Sequence, residues 1–234
     1  MATALARGWG RPVLVADPAP GRAERLVAEL GGEVLDDNVL LARRAETVLL
    51  AHKPEQLETV AAEIAPLTAG KTVISILGGV GVARLEAAYP DANVVRTIPN
   101  TPSEVRRGVT CIAEGGESAV ELFEQVGRVF VVPESQVDVA MSVMSVAPAY
   151  VALVAEAAVD AAVQAGLPAP QATDMFLATL AGTAELIEAR GGDTLAVRRS
   201  VTSPGGSTAR GLAELERHGL RTAFAEATQA VLRR

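Results

Sequence analysis

Side chains that carry protons near neutral pH are scarce in this chain of 234 residues, which holds only two histidines, His52 and His218, and two lysines, Lys53 and Lys71. The half that follows residue 133 has no lysine, so mechanisms drawing a lysine or histidine acid–base group from it are poorly supplied. A single cysteine, Cys111, sits in the apolar run VTCIA. It excludes an internal disulfide, fits a reducing cytoplasm and reads as a buried structural residue. No Cys/His cluster with ligand spacing occurs, which argues against zinc or any other metal centre. Aromatic residues amount to one tryptophan, two tyrosines and four phenylalanines. The apolar content is chiefly alanine, valine and leucine, a composition suited to close helix packing. A net charge of −7 argues against nucleic acid or an anionic membrane as partner. No stretch reads as a signal peptide or membrane span. The longest apolar run, VAPAYVALVAEAAVDAAVQAG, carries a proline, Glu156 and Asp160 and is expected to be a buried helix of a soluble assembly.

What is present alternates. Short β-branched runs, PVLVAD, TVLLAHKP, KTVISILGG, NVVRTIPN, GVTCIAE and RVFVVPE, are separated by the helical patterns GRAERLVAEL, PEQLETVAAEIAPL, GVARLEAAY and SAVELFEQVG. This order predicts an α/β domain with a mostly parallel, Rossmann-like sheet over residues 1–133. From 134 to 234 every periodic segment is helical, with breaks at GLPAP, RGGD and TSPGGS, so an all-α domain follows. The opening MATALARG already reads as helix, and the glycine fingerprint expected ahead of a dinucleotide-binding strand is absent.

Ligands of such sheets bind at the carboxyl ends of the strands. Asp17, at the end of PVLVAD, has two readings: a carboxylate for the adenosine ribose, favouring NADH, or a turn aspartate before Pro18. Arg22 could still accept a 2′-phosphate. Ala51 to Pro54, Gly78 with Gly79, and Asn100 with Thr101 fall at successive strand ends and are expected to line one crevice. The stronger motif is TSPGGST. Gly205 and Gly206 permit a tight turn into a helix whose first N–H groups form an anion site, and Ser203, Ser207 and Thr208 add hydroxyl donors. An ordinary N-cap would need one such hydroxyl.

VTSPGGSTARGLAELERHGLRTAFAEAT resembles the C-terminal signature of the pyrroline-5-carboxylate reductases, and AHKP, VIS…GGV, VVRTIPNTP and PAYVALVAEAAVDAAVQAGLP match that family in order and spacing. The resemblance covers the whole chain. It implies reduction of 1-pyrroline-5-carboxylate to proline with NADPH or NADH, a helical dimerisation domain, and active sites shared with the partner of a homodimer in the cytoplasm. It places Asn38 and Lys53 at the dinucleotide, where the strand-end reading also sets Asp17 and Ala51, and Gly78, Gly79 and Asn100 beside its pyrophosphate and nicotinamide. Ser203, Gly205, Gly206 and Ser207 would hold the substrate carboxylate, and Thr208 the ring nitrogen. Asp17 favours NADH whereas the family leans to NADPH.

Two departures stand out. The family's first strand and Gly-x-Gly turn have no counterpart, which a start site set too far downstream, or a fragment, would explain. Where the family has Ser-Gly-Ser-Gly, this chain has Met144, Ser145, Val146 and Ala147, a change expected to narrow and dry that part of the site. A non-catalytic or substrate-altered paralogue keeping the dimer fold is the alternative reading.

Overall fold

The computed structural model describes residues 1–233 and divides into two compact units, Met1–Pro148 and Ala149–Arg234. The first unit opens with helix α1 (Ala2–Trp9), followed by β1 (Val13–Val15), α2 (Arg22–Leu30), β2 (Gly32–Val34) and α3 (Asn38–Arg44). There follow β3 (Thr47–Leu50), α4 (Leu57–Ile64), β4 (Thr72–Ser75), α5 (Val82–Ala88) and β5 (Asn93–Pro99). It closes with β6 (Gly108–Ala113), α6 (Val120–Glu124), β7 (Gly127–Val132) and α7 (Glu134–Met144).

The strands form two separate sheets among the described residues. β1 and β2 pair in parallel, and a five-stranded sheet runs β3-β4-β5-β6-β7. Within the larger sheet β5 and β6 are antiparallel and every other pair is parallel. β1 and β3 are not bonded to each other, so the sheet is interrupted where the sequence reading lacked a strand. β2 and α3 were not legible in the sequence pattern. The three residues of β2 are all exposed, and without alternation of apolar and polar side chains a strand leaves no trace.

Both faces of the larger sheet are covered, as its apolar strands require. Successive residues of β4 show this. Val73 packs with Leu57, Ile64, Leu85 and Tyr89 from α4, α5 and the turn after α5, while Ile74 packs with Leu5 of α1 and Phe123 of α6 on the opposite face. Gly8 lets α1 lie against the turn at Ser103, whose carbonyl a Cβ there would strike. Trp9 donates its indole N–H to the Leu122 carbonyl at 2.9 Å and tilts against Phe123. α7 belongs to this unit by packing, since Val137 is buried with Ile98, Cys111 and Ala113.

The second unit contains α8 (Ala147–Gln164), α9 (Ala169–Ala189), α10 (Thr194–Ser200), α11 (Ser207–Arg217) and α12 (Leu220–Leu232). Its hydrophobic interior is slight. Among the described residues, only Ala172 and Val197 are buried apolar residues of this unit. Val151, Leu153, Val154, Met175, Leu177 and Phe224 are exposed, and α8 has no buried residue. The expectation of a buried helix is therefore not met within one chain, because α8 is apolar around much of its circumference and its own neighbours cannot cover it. The segment Glu134–Gln164 has the length and mean hydropathy, 1.8, of a membrane-crossing helix, but it is two helices joined at Ser145 and Val146.

The Tyr89 side chain generates a prediction. It is 1% exposed, its hydroxyl has no hydrogen-bond partner, and burial, with a smaller push from Glu63, raises its pKa to about 12. The neutral phenol is thus favoured in the folded state, and stability on this account is lost as pH rises above 10 toward 12. Tyr89→Phe should stabilise the protein by about 1 kcal/mol, raising the thermal midpoint by roughly 2–4 °C. It should also flatten the alkaline loss; calorimetry between pH 8 and 11 checks both.

Candidate functional site

In the first unit a cavity of about 1310 Å³ lies beside β1 and β3, with Asp17, Asn38, Ala51 and Lys53 in its wall. Val13 to Val15 and Thr47 to Leu50 line it along the whole of both strands, so the space is the gap between the two sheets, and its volume does not measure a ligand site. Four of the seven residues expected at the cofactor are thus brought together. Gly78, Gly79 and Asn100 are not part of this wall. Gly78 and Gly79 follow β4 and Asn100 follows β5, one and two strands beyond β3 in the sheet.

Each group has its local geometry. One Asp17 carboxylate oxygen accepts the Ala19 N–H at 2.8 Å, the turn role foreseen for it, while the residue still faces the cavity. Asn38 begins α3, whose N-cap Asp37 accepts the Leu40 N–H, and donates its side-chain amide to Glu63 at 2.8 Å. Lys53 opens a 3₁₀ turn with its backbone N–H on Gln56 Oε1 at 3.1 Å, and its ammonium forms no ion pair among the described residues. Gly79 adopts φ 76°, a left-handed conformation favouring glycine. A Cβ on Gly78 would meet no protein atom within 4 Å, so one face of that turn is bare.

Asn100 is committed internally. Its Nδ2 donates to the Met144 carbonyl at 3.0 Å and its Oδ1 accepts the Val109 N–H at 2.8 Å. The side chain is a strut that fixes the turn, so a ligand there would meet its backbone surroundings and not this amide. Met144 also departs from expectation. Its side chain is 8% exposed and packs with Ile98, Cys111 and Val137, so it fills the core of the first unit and does not dry a pocket. Burial pushes the Cys111 thiol pKa up, against the opposing charge of Arg96, in keeping with a structural residue.

In the second unit the TSPGGST segment makes a turn in which the Gly206 N–H bonds the Ser203 carbonyl at 3.1 Å and Gly205 takes φ 69°. Gly206 is the N-cap of α11 and no side chain caps it. The hydroxyls of Ser203, Ser207 and Thr208 make no hydrogen bond among the described residues, and Ser203, Ser207 and Thr208 are exposed. Arg210 folds back onto the Gly205 carbonyl at 2.8 Å, placing a cation next to the turn. A helix entrance with free N–H groups, free hydroxyls and a nearby guanidinium can take up a carboxylate.

Sequence reasoning passed over Arg96 and Glu134. The signal was a charged residue inside the apolar strand NVVRTIPN. Arg96 is 3% exposed and ion-paired with Glu134 and Asp138.

The first unit is thus an open, Rossmann-like α/β unit of the dinucleotide-binding class, and the second a helical unit with an anion-ready helix entrance. Residues 134–234 match the family model described as pyrroline-5-carboxylate reductase dimerisation, and residues 1–79 match NADP oxidoreductase, coenzyme F420-dependent. The pyrroline-5-carboxylate reductase of Synechocystis is 39% identical over 95% of this chain and 86% of its own length. That of Thermus thermophilus is 36% identical over 99% of this chain and 90% of its own. A Plasmodium falciparum pyrroline carboxylate reductase solved with NADP bound superposes with a TM-score of 0.87 at 26% identity, covering 98% of this chain and 90% of that one. The chain belongs to the pyrroline-5-carboxylate reductase family.

Replacing Asn100 tests the strut. Asn100→Ala leaves the Met144 carbonyl and the Val109 N–H without partners and is expected to cost about 2–3 kcal/mol, a fall of roughly 4–12 °C in the thermal midpoint. Asn100→Asp, which can still accept from Val109, should cost less.

Proposed function

We propose that this chain reduces 1-pyrroline-5-carboxylate to L-proline, the last step of proline biosynthesis, with hydride from NADPH or NADH, as a cytoplasmic homodimer. The observation that carries the reading is the helix entrance at Ser207, whose N–H groups and hydroxyls have no partner among the described residues. Membership of the reductase family supports reading its ligand as the carboxylate of a small cyclic imino acid.

The residues present fit a dinucleotide: Asp17, Asn38, Ala51 and Lys53 share one wall, the Lys53 ammonium has no ion pair among the described residues, and Gly78 bares a turn at a strand end. Asp17, Asn38, Ala51 and Lys53 would hold the cofactor, with Gly78, Gly79 and the Asn100 turn beside its pyrophosphate and nicotinamide. When bound, the dinucleotide supplies the hydride. In the second unit Ser203, Gly205, Gly206 and Ser207 anchor the substrate carboxylate, and Thr208 holds the ring nitrogen, orienting the C=N carbon to receive that hydride. A protonated cyclic imine is already electrophilic, so fixing its position does most of what the reaction needs. The product nitrogen takes its proton from water, which agrees with the scarcity of histidine and lysine.

Residues 1–133 serve the dinucleotide and 134–234 serve dimerisation and substrate. A second copy supplies the apolar cover that α8, α9 and α12 lack, and the buried thiol of Cys111 suits a reducing compartment. The dimer reading rests on the exposed Val151, Leu153, Met175, Leu177 and Phe224 and on the dimerisation family that matches this half.

Activity is measured as loss of nicotinamide absorbance on addition of pyrroline-5-carboxylate. Ser207→Ala should raise KM for that substrate about tenfold or more, the loss of one hydrogen bond to a charged group. Its thermal midpoint should be unchanged, since Ser207 caps nothing. An unchanged KM would remove the helix entrance from the site.

A further inference from the structure

We infer that Glu134 and the buried Arg96 are positioning residues that set the glycine turn between β4 and α5 in place for the dinucleotide; this rests on the reading that Gly78 and Gly79 border that cofactor. The helix that follows the turn, α5, has Gly81 as its N-cap and so no capping side chain of its own. The cap comes instead from the distant α7. Glu134 Oε1 accepts the Val82 N–H at 2.6 Å and also takes the Arg96 Nη1 at 3.2 Å. Arg96 Nη2 in turn donates to Asp138 Oδ1 at 2.6 Å. One guanidinium on β5 is therefore held by two carboxylates a single turn apart on α7, and one of those carboxylates reaches across to α5.

The other end of α7 is fastened to the same strand. The Met144 carbonyl accepts from Asn100, and the Ser145 hydroxyl donates to the Pro99 carbonyl at 3.4 Å. α7 thus lies as a bar pinned at both ends of its length. The glycine turn is likewise fixed at both of its ends, by Ser75 Oγ accepting the Leu77 N–H at 3.2 Å and by Glu134 at Val82. Between those two fixed points stands Gly78, with open space where a side chain would be.

An arrangement made only for stability has little reason to bury an arginine. Desolvating the guanidinium offsets much of what its two partners return, and a packed apolar group of similar size would serve as well. What the charges add is direction, because two hydrogen-bonded carboxylates fix the angle between α7, β5 and the start of α5. A turn that must present backbone to a pyrophosphate needs that fixed angle, since a small displacement of a binding element costs far more than its own contacts.

Three variants of the full chain, Glu134→Ala, Glu134→Gln and Gly78→Ala, decide the matter by fluorescence titration of NADPH, well below each thermal midpoint, with KM for pyrroline-5-carboxylate measured alongside. Glu134→Ala should weaken NADPH binding about tenfold and leave KM for the imine within about twofold. Glu134→Gln, which keeps an oxygen for Val82, should recover most of the affinity. Unchanged NADPH affinity in Glu134→Ala overturns the inference, and so does an equal loss for both ligands, the mark of general loosening. Should Glu134→Ala not fold, Glu134→Asp withdraws the same contact and is held to the same expectation. Gly78→Ala separates the two layers of argument. If it leaves NADPH binding intact, the turn does not border the cofactor and the underlying reading fails. If it weakens binding while Glu134→Ala does not, the positioning inference alone fails.

Discussion

The helical unit has almost nothing to hide its apolar side chains behind, and the proposed dimer is the answer to that shortage. Two buried apolar residues among five helices cannot offset the conformational entropy of ordering them. Exposed valines and leucines along α8, with Met175 and Leu177 on α9 and Phe224 on α12, therefore behave as one half of a core. Tyr150 and Phe224 meet edge to face at 6.4 Å, a contact that already ties α8 to α12 before any second chain is considered. The alanine-rich composition agrees with that proposal: small side chains allow helices to approach closely, and a second copy would need a flat face.

The two units handle backbone polar groups in opposite ways, and the contrast bears on function. Around the glycine turn nearly every group is spoken for: Ser75 serves Leu77, Glu134 serves Val82, and Asn100 serves both Val109 and Met144. Rigidity is the outcome, and it suits the cofactor-bordering role proposed for this turn. At the start of α11 the protein leaves N–H groups and hydroxyls uncommitted. Such groups are tolerable because Ser203, Ser207 and Thr208 are exposed and water can satisfy them in the absence of a ligand. In the proposed function, a substrate carboxylate would exchange that water for an aligned set of donors.

Much of this was legible from the sequence because it follows from local rules. β-branched runs bounded by glycine and proline gave β1, β3, β4, β5, β6 and β7, and the hydroxyl-rich TSPGGST segment stood out as more than a cap. The parts that escaped depend on partners far away in the chain. β2 exists only because Gly32, Glu33 and Val34 pair with Val13, Leu14 and Val15; nothing in GEV itself demands a strand. Asn100 looked like a ligand residue between two prolines, but its amide is consumed by Val109 and Met144, a fact that no local pattern contains. Met144 seemed an intruder in a substrate segment, yet it points into the core beside Cys111.

Arg96 shows why a conflict with local rules is worth following. A charged residue in the middle of NVVRTIPN contradicts the pattern of a buried strand, and such contradictions gather where a protein gives up stability for geometry. The burial of Arg96 is bearable only because Glu134 and Asp138 stand one helical turn apart on the same face of α7. Those carboxylates can stand there only because α7 is folded back onto β5 and β6 through Val137. The end of the sheet, the helix that crosses it and the glycine turn are therefore one mechanical element. Any substitution that lets α7 lift from β6, whether at Val137, Asn100 or Arg96, must also move the start of α5.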